Sequence, residues 1–432
     1  MREMKDTSVF WCPTIPTDWS TIKNKYILSL LYSGGTPSAG DEKFYTLDNG
    51  VPFVSISDMS SVAYVKSTKK QVTDLGIADK RLIVLPKGTI LYSIYATVGA
   101  VSELEIEATI SQAMLALQVN DSIYKPFYKY NLLAMREYVL SDTNGNTQFN
   151  LNAEKVRNFV FILPPMKDQQ IIAAHLDRKC TQIDALISNA QQQIEKLKAY
   201  KQSVITETVT KGLDPDVKMK DSGVEWIGEI PGNAELTKVS HLFNVILGKM
   251  VSPTKSKADE TLESYFCAAN VHFDDLQYDE LKTMWFDSNE KETYLVQKGD
   301  LLVVEGGAGA GGSHIVEKDI ENCYVQNSVM IVRRKKHVPE KWLYYIIYML
   351  VKNNYIDYVC NKATIPHFTK DKLNNTPVVF YKEEQMKKMI VYLDRKCTQI
   401  DQLIALKQQK IEKLQQYKKS LIYEYVTGKK EV

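Results

Sequence analysis

Residues 176–184 read LDRKCTQID, and the same nine residues occur again, without a change, at positions 393–401. The offset is 217 residues, and 24 of the 35 positions from 176 to 210 are identical in the two copies. Nine consecutive identities do not arise by chance, so the chain carries an internal repeat, and its architecture must use one structural unit twice.

Both copies predict a long helix, because apolar residues recur in steps of four and three over four heptads. The seam residues of the first copy are Leu176, Cys180, Ile183, Ile187, Ala190, Ile194, Leu197, Lys201 and Val204. Those of the second are Leu393, Cys397, Ile400, Ile404, Lys407, Ile411, Leu414, Lys418 and Leu421. Neither Pro nor Gly interrupts residues 168–211, so this helix is roughly 60 Å long.

The apolar stripe of each helix needs a partner. The other helix of the same chain is favoured because it is tethered at high effective concentration, and pairing between two chains is the alternative. Lys201 and Lys418 interrupt the seam at equivalent places. The interpretation we favour is that they extend to solvent near the helix ends. The alternative is contact with an acidic group of a partner protein.

A weaker repeat covers the segments between the helices. WCPTIP at residues 11–16 matches WIGEIP at 226–231, and KGTIL at 87–91 resembles KGDLL at 298–302. The predicted order is a globular domain (1–167), a helix (168–212), a second globular domain (213–384) and a second helix (385–432). Because the helices are near copies and the globular domains have diverged, one part keeps a fixed role while the other varies its surface.

The globular domains mix short strands and helices, which predicts an α+β class. Runs rich in β-branched and aromatic residues predict strands at 51–56, 89–94, 114–119, 159–163, 301–305, 328–332 and 377–381. Proline near the first turn opens two predicted helices, 126–140 and 339–352.

Composition is that of an ordinary globular chain of 432 residues, with 44% hydrophobic and 25% charged residues and a net charge of +2. It excludes a disordered, collagen-like or membrane-embedded protein. The longest apolar run, 342–351, is ten residues, against the ~20 that span a bilayer. No signal peptide is visible, and six cysteines without a C-x-x-C pair indicate reduced thiols in a cytoplasmic protein.

Charge does not identify a partner, because residues 213–384 carry 20 basic and 26 acidic side chains, a net of −6. The same segment nevertheless contains the basic run Arg-Arg-Lys-Lys-His at 333–337. We weigh two interpretations of that run, a solvated strand end and a phosphate-contacting patch.

Catalytic and cofactor motifs are not apparent. Residues 307–312 fit G-x-G-x-x-G, but the residues that follow look extended, and a phosphate loop needs a helix N-terminus there. A glycine loop between strands is the better interpretation. The sequence has neither a P-loop motif nor an Asn-Pro-Pro-aromatic stretch, and its six histidines have no metal-ligand spacing.

Several motifs together resemble the specificity subunit of type I restriction-modification systems. They are the repeated helices, DSGVEWIGEIP at 221–231, and ILPP at 162–165 leading into DQQII at 168–172. The resemblance implies two target recognition domains that alternate with two long helices paired as an intramolecular antiparallel coiled coil. Each domain would read one half of a bipartite, asymmetric site in double-stranded DNA, and the helices would set the spacing between the halves.

The resemblance also implies that the helices dock two modification subunits, which bind S-adenosylmethionine and methylate adenine. Restriction subunits using ATP and Mg would translocate and cleave DNA in a system of phage defence. This chain would itself bind no cofactor and catalyse nothing. Two alternatives stay open: a coiled-coil scaffold without DNA contact, and a methyltransferase with an unrecognised motif.

Loops, rather than the core, are expected to contact DNA, within residues 93–99, 143–150, 305–314 and 362–370. Amide side chains in the second loop can bind adenine in a bidentate manner, and we expect Gln148-Phe149 and His367-Phe368 to occupy equivalent places. The candidate DNA-binding residues are Ser93, Tyr95, Thr97, Asn144, Asn146, Gln148, Gly307, Gly309, His314, Arg333, Arg334, Lys335, Lys362, His367 and Lys370.

Overall fold

A computed structural model describes residues 2–38, 41–144, 151–307, 309–356 and 367–432, with the side chains of 142–144 left aside. The chain forms two compact units. The first unit comprises Met1–Gln191 together with Gln408–Val432, and the second comprises Gln192–Lys407. Each unit therefore holds one globular domain and part of each long helix.

The first unit is built on an antiparallel central sheet that a fifth, parallel edge strand extends. In spatial order its strands are Leu28–Ser33, Met114–Val119, Ile90–Ser93, Val101–Leu104 and Tyr64–Val65. A smaller sheet has the order Thr109–Ile110, Val51–Val54, Lys70–Val72 and Tyr45–Thr46. Two antiparallel pairs complete the strands: Met4–Asp6 with Thr14–Pro16, and Ser20–Lys23 with Val160–Leu163.

The second unit has a central antiparallel sheet of four strands. Their order is Phe243–Leu247, Val329–Arg334, Leu301–Val304 and Ser313–Ile315. A three-stranded sheet has the order Lys282–Phe286, Thr261–Phe266 and Cys323–Val325. The remaining pairs are Met219–Asp221 with Glu229–Pro231, and Glu235–Lys238 with Pro377–Phe380.

The two units share one internal plan, which agrees with the weaker repeat in the sequence. Each begins with a short hairpin and closes by pairing an early strand with the last strand before a long helix. Each smaller sheet contains one parallel pair, Thr109–Ile110 beside Val51–Val54 and Cys323–Val325 beside Thr261–Phe266.

Most of the helices of the globular domains are short, and two extend beyond two turns: Lys125–Ala134 and Glu340–Lys352. The first domain also has Ile56–Met59, Asp74–Lys80, Arg136–Asn144 and Ala153–Arg157. The second also has Val239–Leu242, Ser288–Tyr294 and Lys370–Asn375. The predicted helix 126–140 is therefore wrong as one element, because the first helix is capped at Met135 and a new one begins at Arg136.

The two repeated helices extend over Met166–Lys211 and Glu383–Val426, and we call them the first and second long helix. Seam residues such as Leu176, Ile183, Leu393 and Ile400 are buried, as the heptad pattern predicts. Among the residues described here, no helix is long and apolar enough to cross a membrane.

Candidate nucleic-acid interface

The two long helices pair within the chain, and each unit fixes their direction by an ion pair on the seam. In the first unit Lys418 Nζ lies 2.7 Å from an Asp184 carboxylate oxygen, and in the second Lys201 Nζ lies 2.8 Å from Asp401. In the first unit His175 also packs on Tyr425, with ring centroids 4.6 Å apart. Positions that rise along one helix thus meet positions that fall along the other, so the helices run antiparallel.

These pairs correct the expectation for the seam lysines. Neither Lys201 nor Lys418 simply extends to solvent, and the acidic group that each contacts belongs to the other helix of this chain. Each pair is the repeat mate of the other, because Asp184 corresponds to Asp401 and Lys201 to Lys418 at the 217-residue offset.

The ends of the long helices join the cores of the globular domains. In the first unit Leu176 and Cys180 share a buried cluster with Leu421 and Tyr425 from the end of the second long helix. In the second unit Val204 and Val209 share a cluster with Leu393 and with Trp342 of the globular domain. The helices therefore carry the domains on apolar contacts.

The loop 93–99 of the first unit is a tight turn between two strands of the central sheet. Ser93 is fully buried, and its hydroxyl donates to the Tyr95 carbonyl oxygen at 2.8 Å. Its burial argues against the predicted base contact and gives Ser93 a role in shaping the turn. Tyr95 is 44% exposed, whereas the Thr97 hydroxyl oxygen is buried, so Tyr95 is the side chain of the three that this turn presents to solvent.

The glycine-rich loop of the second unit is the equivalent turn. It joins the strands Leu301–Val304 and Ser313–Ile315, as the extended pattern predicts, and no helix N-terminus follows it. Backbone bonds close it: Gly311 N–H donates to the Val304 carbonyl at 2.9 Å. Gly307 has φ = +84°, which favours glycine. Gly309 lies on the same turn.

His314 and His367 both lie near this turn. His314 is on the strand after the turn, with Nδ1 3.3 Å from the Phe273 carbonyl oxygen. His367 pairs with Gly306, so its imidazole lies against the start of the turn. Lys370, three residues on, is exposed at the beginning of a short helix.

The basic run 333–337 divides into buried and exposed parts. The Arg333 guanidinium binds both Asp300 carboxylate oxygens, at 2.7 and 2.8 Å, and the aspartate raises the pKa of Arg333. That pairing favours a structural role for Arg333 over the predicted phosphate contact. Arg334 and Lys335 are exposed, and with Phe380 and Glu383 they line a cleft of about 670 Å³.

The structure therefore places the candidates of the second unit at two separate sites. The strand register puts Val329 beside Val304, next to the glycine-rich turn, and Arg334 beside Phe243 at the other end. A strand of six residues spans roughly 17 Å, so the basic run and the turn do not form one surface.

Other predicted residues cannot be placed in the same way. Asn144 ends the helix Arg136–Asn144, and Asn146, Gln148 and Lys362 lie outside the described residues. The expected equivalence of Gln148-Phe149 and His367-Phe368 is wrong. The helix caps Asn152 and Thr369 correspond at an offset of 217, which aligns His367-Phe368 with residues 150–151.

Sequence reasoning missed the residues that hold each domain on a long helix. The Tyr130 hydroxyl donates to Asp177 at 2.7 Å, and the Tyr345 hydroxyl donates to Asp394 at 2.5 Å. The signal was available, because the two tyrosines are 215 residues apart on predicted helices and the two aspartates lie within the repeated nonapeptide.

Comparisons with known proteins agree with this architecture. A family model described as the type I restriction modification DNA specificity domain matches residues 16–196. The MjaX type I restriction enzyme specificity subunit of Methanocaldococcus jannaschii is 25% identical, over 96% of this chain and 94% of its own length. The MjaVIII specificity subunit of the same organism is 23% identical, over 96% and 93%.

A solved structure gives the same fold. It is described as the structural basis of complex assembly and conformational transition of the type I R-M system, and one of its chains superposes with a TM-score of 0.69 at 14% identity. The match covers 96% of this chain and 99% of that one. With its twofold internal repeat, its two related domains and its antiparallel long helices, the chain belongs to the family of type I restriction-modification specificity subunits.

Proposed function

We propose that this protein is the DNA-binding specificity subunit of a type I restriction-modification enzyme. Each globular domain reads one half of an asymmetric, bipartite target in double-stranded DNA. The observation that carries the proposal is that two domains of one internal plan, with diverged surfaces, sit on near-identical antiparallel helices. Two different readers on a fixed spacer suit a split target with unequal halves.

The turns at Tyr95 and at Gly307 support reading by equivalent loops, because both connect a central strand to its antiparallel neighbour. The exposed candidates at these turns are Tyr95, His367 and Lys370. Arg334 and Lys335 lie at the other end of the second unit's central sheet. They are better suited to phosphate contact, which positions a protein on DNA without reading its sequence.

The partners follow from the same proposal. Two modification subunits dock on the long helices, bind S-adenosylmethionine and methylate adenine, and restriction subunits supply ATP- and Mg-dependent translocation and cleavage. This chain binds no cofactor and has no catalysis of its own. The assembly acts on DNA in the cytoplasm.

Two experiments test the proposal. Methylome sequencing of cells with and without the gene should show a bipartite motif methylated on adenine only when the gene is present. The purified chain alone should not transfer methyl groups, and adding the modification subunit should restore transfer. Methyl transfer by the pure chain at a comparable rate would support the methyltransferase alternative, and failure to shift any bipartite DNA would support the scaffold alternative.

A further inference from the structure

Each globular domain contacts its long helix through a directional hydrogen bond as well as through apolar packing. Tyr130 is 8% exposed and donates to Asp177 Oδ1. Tyr345 is 4% exposed and donates to Asp394 Oδ1, whose second oxygen lies 3.0 Å from Lys341 Nζ. The same pair of groups therefore occurs at the equivalent place in both units.

The nonapeptide supplies the acceptor and its surroundings in both copies. Burial raises the pKa of Tyr130 and of Tyr345, and the neighbouring carboxylates raise both pKa values further, so both phenols stay protonated and able to donate. The thiols of Cys180 and Cys397, one helical turn beyond the aspartates, contact the same hydroxyl groups.

Apolar contact attaches a domain to a helix but defines its angle poorly, since the hydrophobic effect is non-directional. A hydrogen bond prefers a short distance and a nearly straight angle, so it restricts tilt. The ion pair between Lys419 and Glu137 also bridges helix and domain, but both side chains are at least 60% exposed. Exposed pairs of this kind hold geometry weakly.

We propose that Tyr130 and Tyr345 are positioning residues that fix the angle of each domain on its long helix. Through that angle they fix the number of base pairs between the two half-sites. A tilt of roughly ten degrees displaces a surface about 20 Å away by about 3.5 Å, close to one base-pair step along DNA. This inference rests on the proposed function.

The test selects bound sequences from random double-stranded DNA with the full-length chain, followed by deep sequencing. The wild type should recover two half-sites with one spacer length. The double variant Tyr130→Phe/Tyr345→Phe should recover the same half-sites with spacers spread to at least one base pair on either side. The matched control is Tyr128→Phe/Tyr344→Phe, because these hydroxyls bond inside the globular domains, to Asn24 and to the Phe273 carbonyl. It should keep one spacer.

A second pair of variants separates positioning from general stability. Asp177→Ala/Asp394→Ala removes the acceptor and should broaden the spacer, whereas Asp177→Asn/Asp394→Asn keeps a carbonyl acceptor and should restore a single length. One unchanged spacer length in both the Phe and the Ala variants would overturn the inference and leave the proposed function standing. Failure of the wild type to select any bipartite motif would overturn both.

Discussion

At the scale of single residues, the structure explains why much of the repeated nonapeptide is identical in its two copies. Leu176 and Ile183 are buried in the seam, and Cys180 lies beneath Tyr130. Asp177 accepts from Tyr130, and Asp184 forms the ion pair between the helices. Five of the nine positions therefore have a defined structural contact, and each contact recurs in the second unit.

The ion pair of the second unit is the more buried of the two, with the Lys201 side chain 11% exposed against 29% for Lys418. We expect Lys201→Ala to lower the free energy of unfolding by about 1 kcal/mol, since it removes both the pair and the packing of the lysine stem. Lys418→Ala should cost less. Urea denaturation measures both.

The control for this prediction is Lys198→Ala. Lys198 is 56% exposed and pairs with Glu195 along the same helix, so its loss should be close to zero. An equal loss in the Lys198 variant would contradict a specific role for the seam pair.

His175 predicts a dependence of stability on pH. Burial lowers the pKa of His175 below its usual 6.5, and the cations of Arg178, Lys179 and Lys430 lower it further. The folded state therefore binds this proton less readily than the unfolded state. The corresponding stability is fully present above about pH 6.5 and is lost as the pH falls below it.

We expect His175→Tyr, which introduces the residue found at the equivalent Tyr392, to reduce this loss of stability under acidic conditions. Thermal unfolding of both proteins between about pH 5 and pH 8 tests it. Parallel curves for wild type and variant would show that other groups cause the acid sensitivity.

At the scale of elements, one glycine shapes the turn after the first strand of each central sheet. A Cβ at Gly34 would lie 2.3 Å from the Ile110 carbonyl oxygen, and one at Gly248 would lie 2.5 Å from that of Gln326. Gly34→Ala should therefore lower the free energy of unfolding by about 1–3 kcal/mol, because backbone must move.

Gly35→Ala is the matched control for that prediction. The nearest atoms to its Cβ are side-chain atoms of Leu82 and Lys80 at 3.2 Å, which can adjust. A much smaller loss is expected, and chemical denaturation of both variants measures the difference. Similar losses would mean that the close backbone approach at Gly34 is not what matters.

The sequence predicts the long elements better than the short ones. The heptad stripe placed the first long helix at residues 168–211, within two residues of Met166–Lys211, because nearly fifty residues share one period. The two-residue strands Tyr45–Thr46 and Tyr64–Val65 have no period to detect, and long-range pairing alone defines them. The candidate loops were located correctly at two turns, but burial of Ser93 depends on tertiary packing that a pattern does not contain.

The long helices also predict how target spacing responds to length. Adding one heptad to each helix, near Gln191 and near Gln408, lengthens both by about 10 Å, roughly three base pairs of DNA. Because both ion pairs keep their partners, the seam stays aligned and the protein should fold. Mapping methylated sites should show the same half-sites with a longer spacer.

Adding two residues instead of seven is the control. It rotates each stripe away from its partner, so we expect loss of stability and not a new spacer. An unchanged spacer in a folded, active heptad variant would show that another feature sets the separation of the half-sites.

At the scale of the whole molecule, the two domains should be exchangeable one at a time. Replacing residues 1–165 with the matching domain of a relative should change one half-site and leave the other unaltered. The graft must retain the contacts of Trp11 and Tyr130 with its own unit, since Tyr423 donates to the Trp11 carbonyl at 3.2 Å. Methylation mapping reads out the result, and a change in both half-sites would argue against independent reading.

The composition of the first unit also bears on its synthesis. Its core includes Leu421, Ile422, Tyr425 and Val426, which leave the ribosome last. At the usual 5–20 residues per second, the roughly 240 residues after Gln191 take about 12–50 s to translate. For that time the nascent N-terminal domain holds an open apolar surface that only the finished C-terminus can cover. A premature stop codon in the last dozen codons would therefore unfold the domain made first, so a truncated product could not read even half of a target.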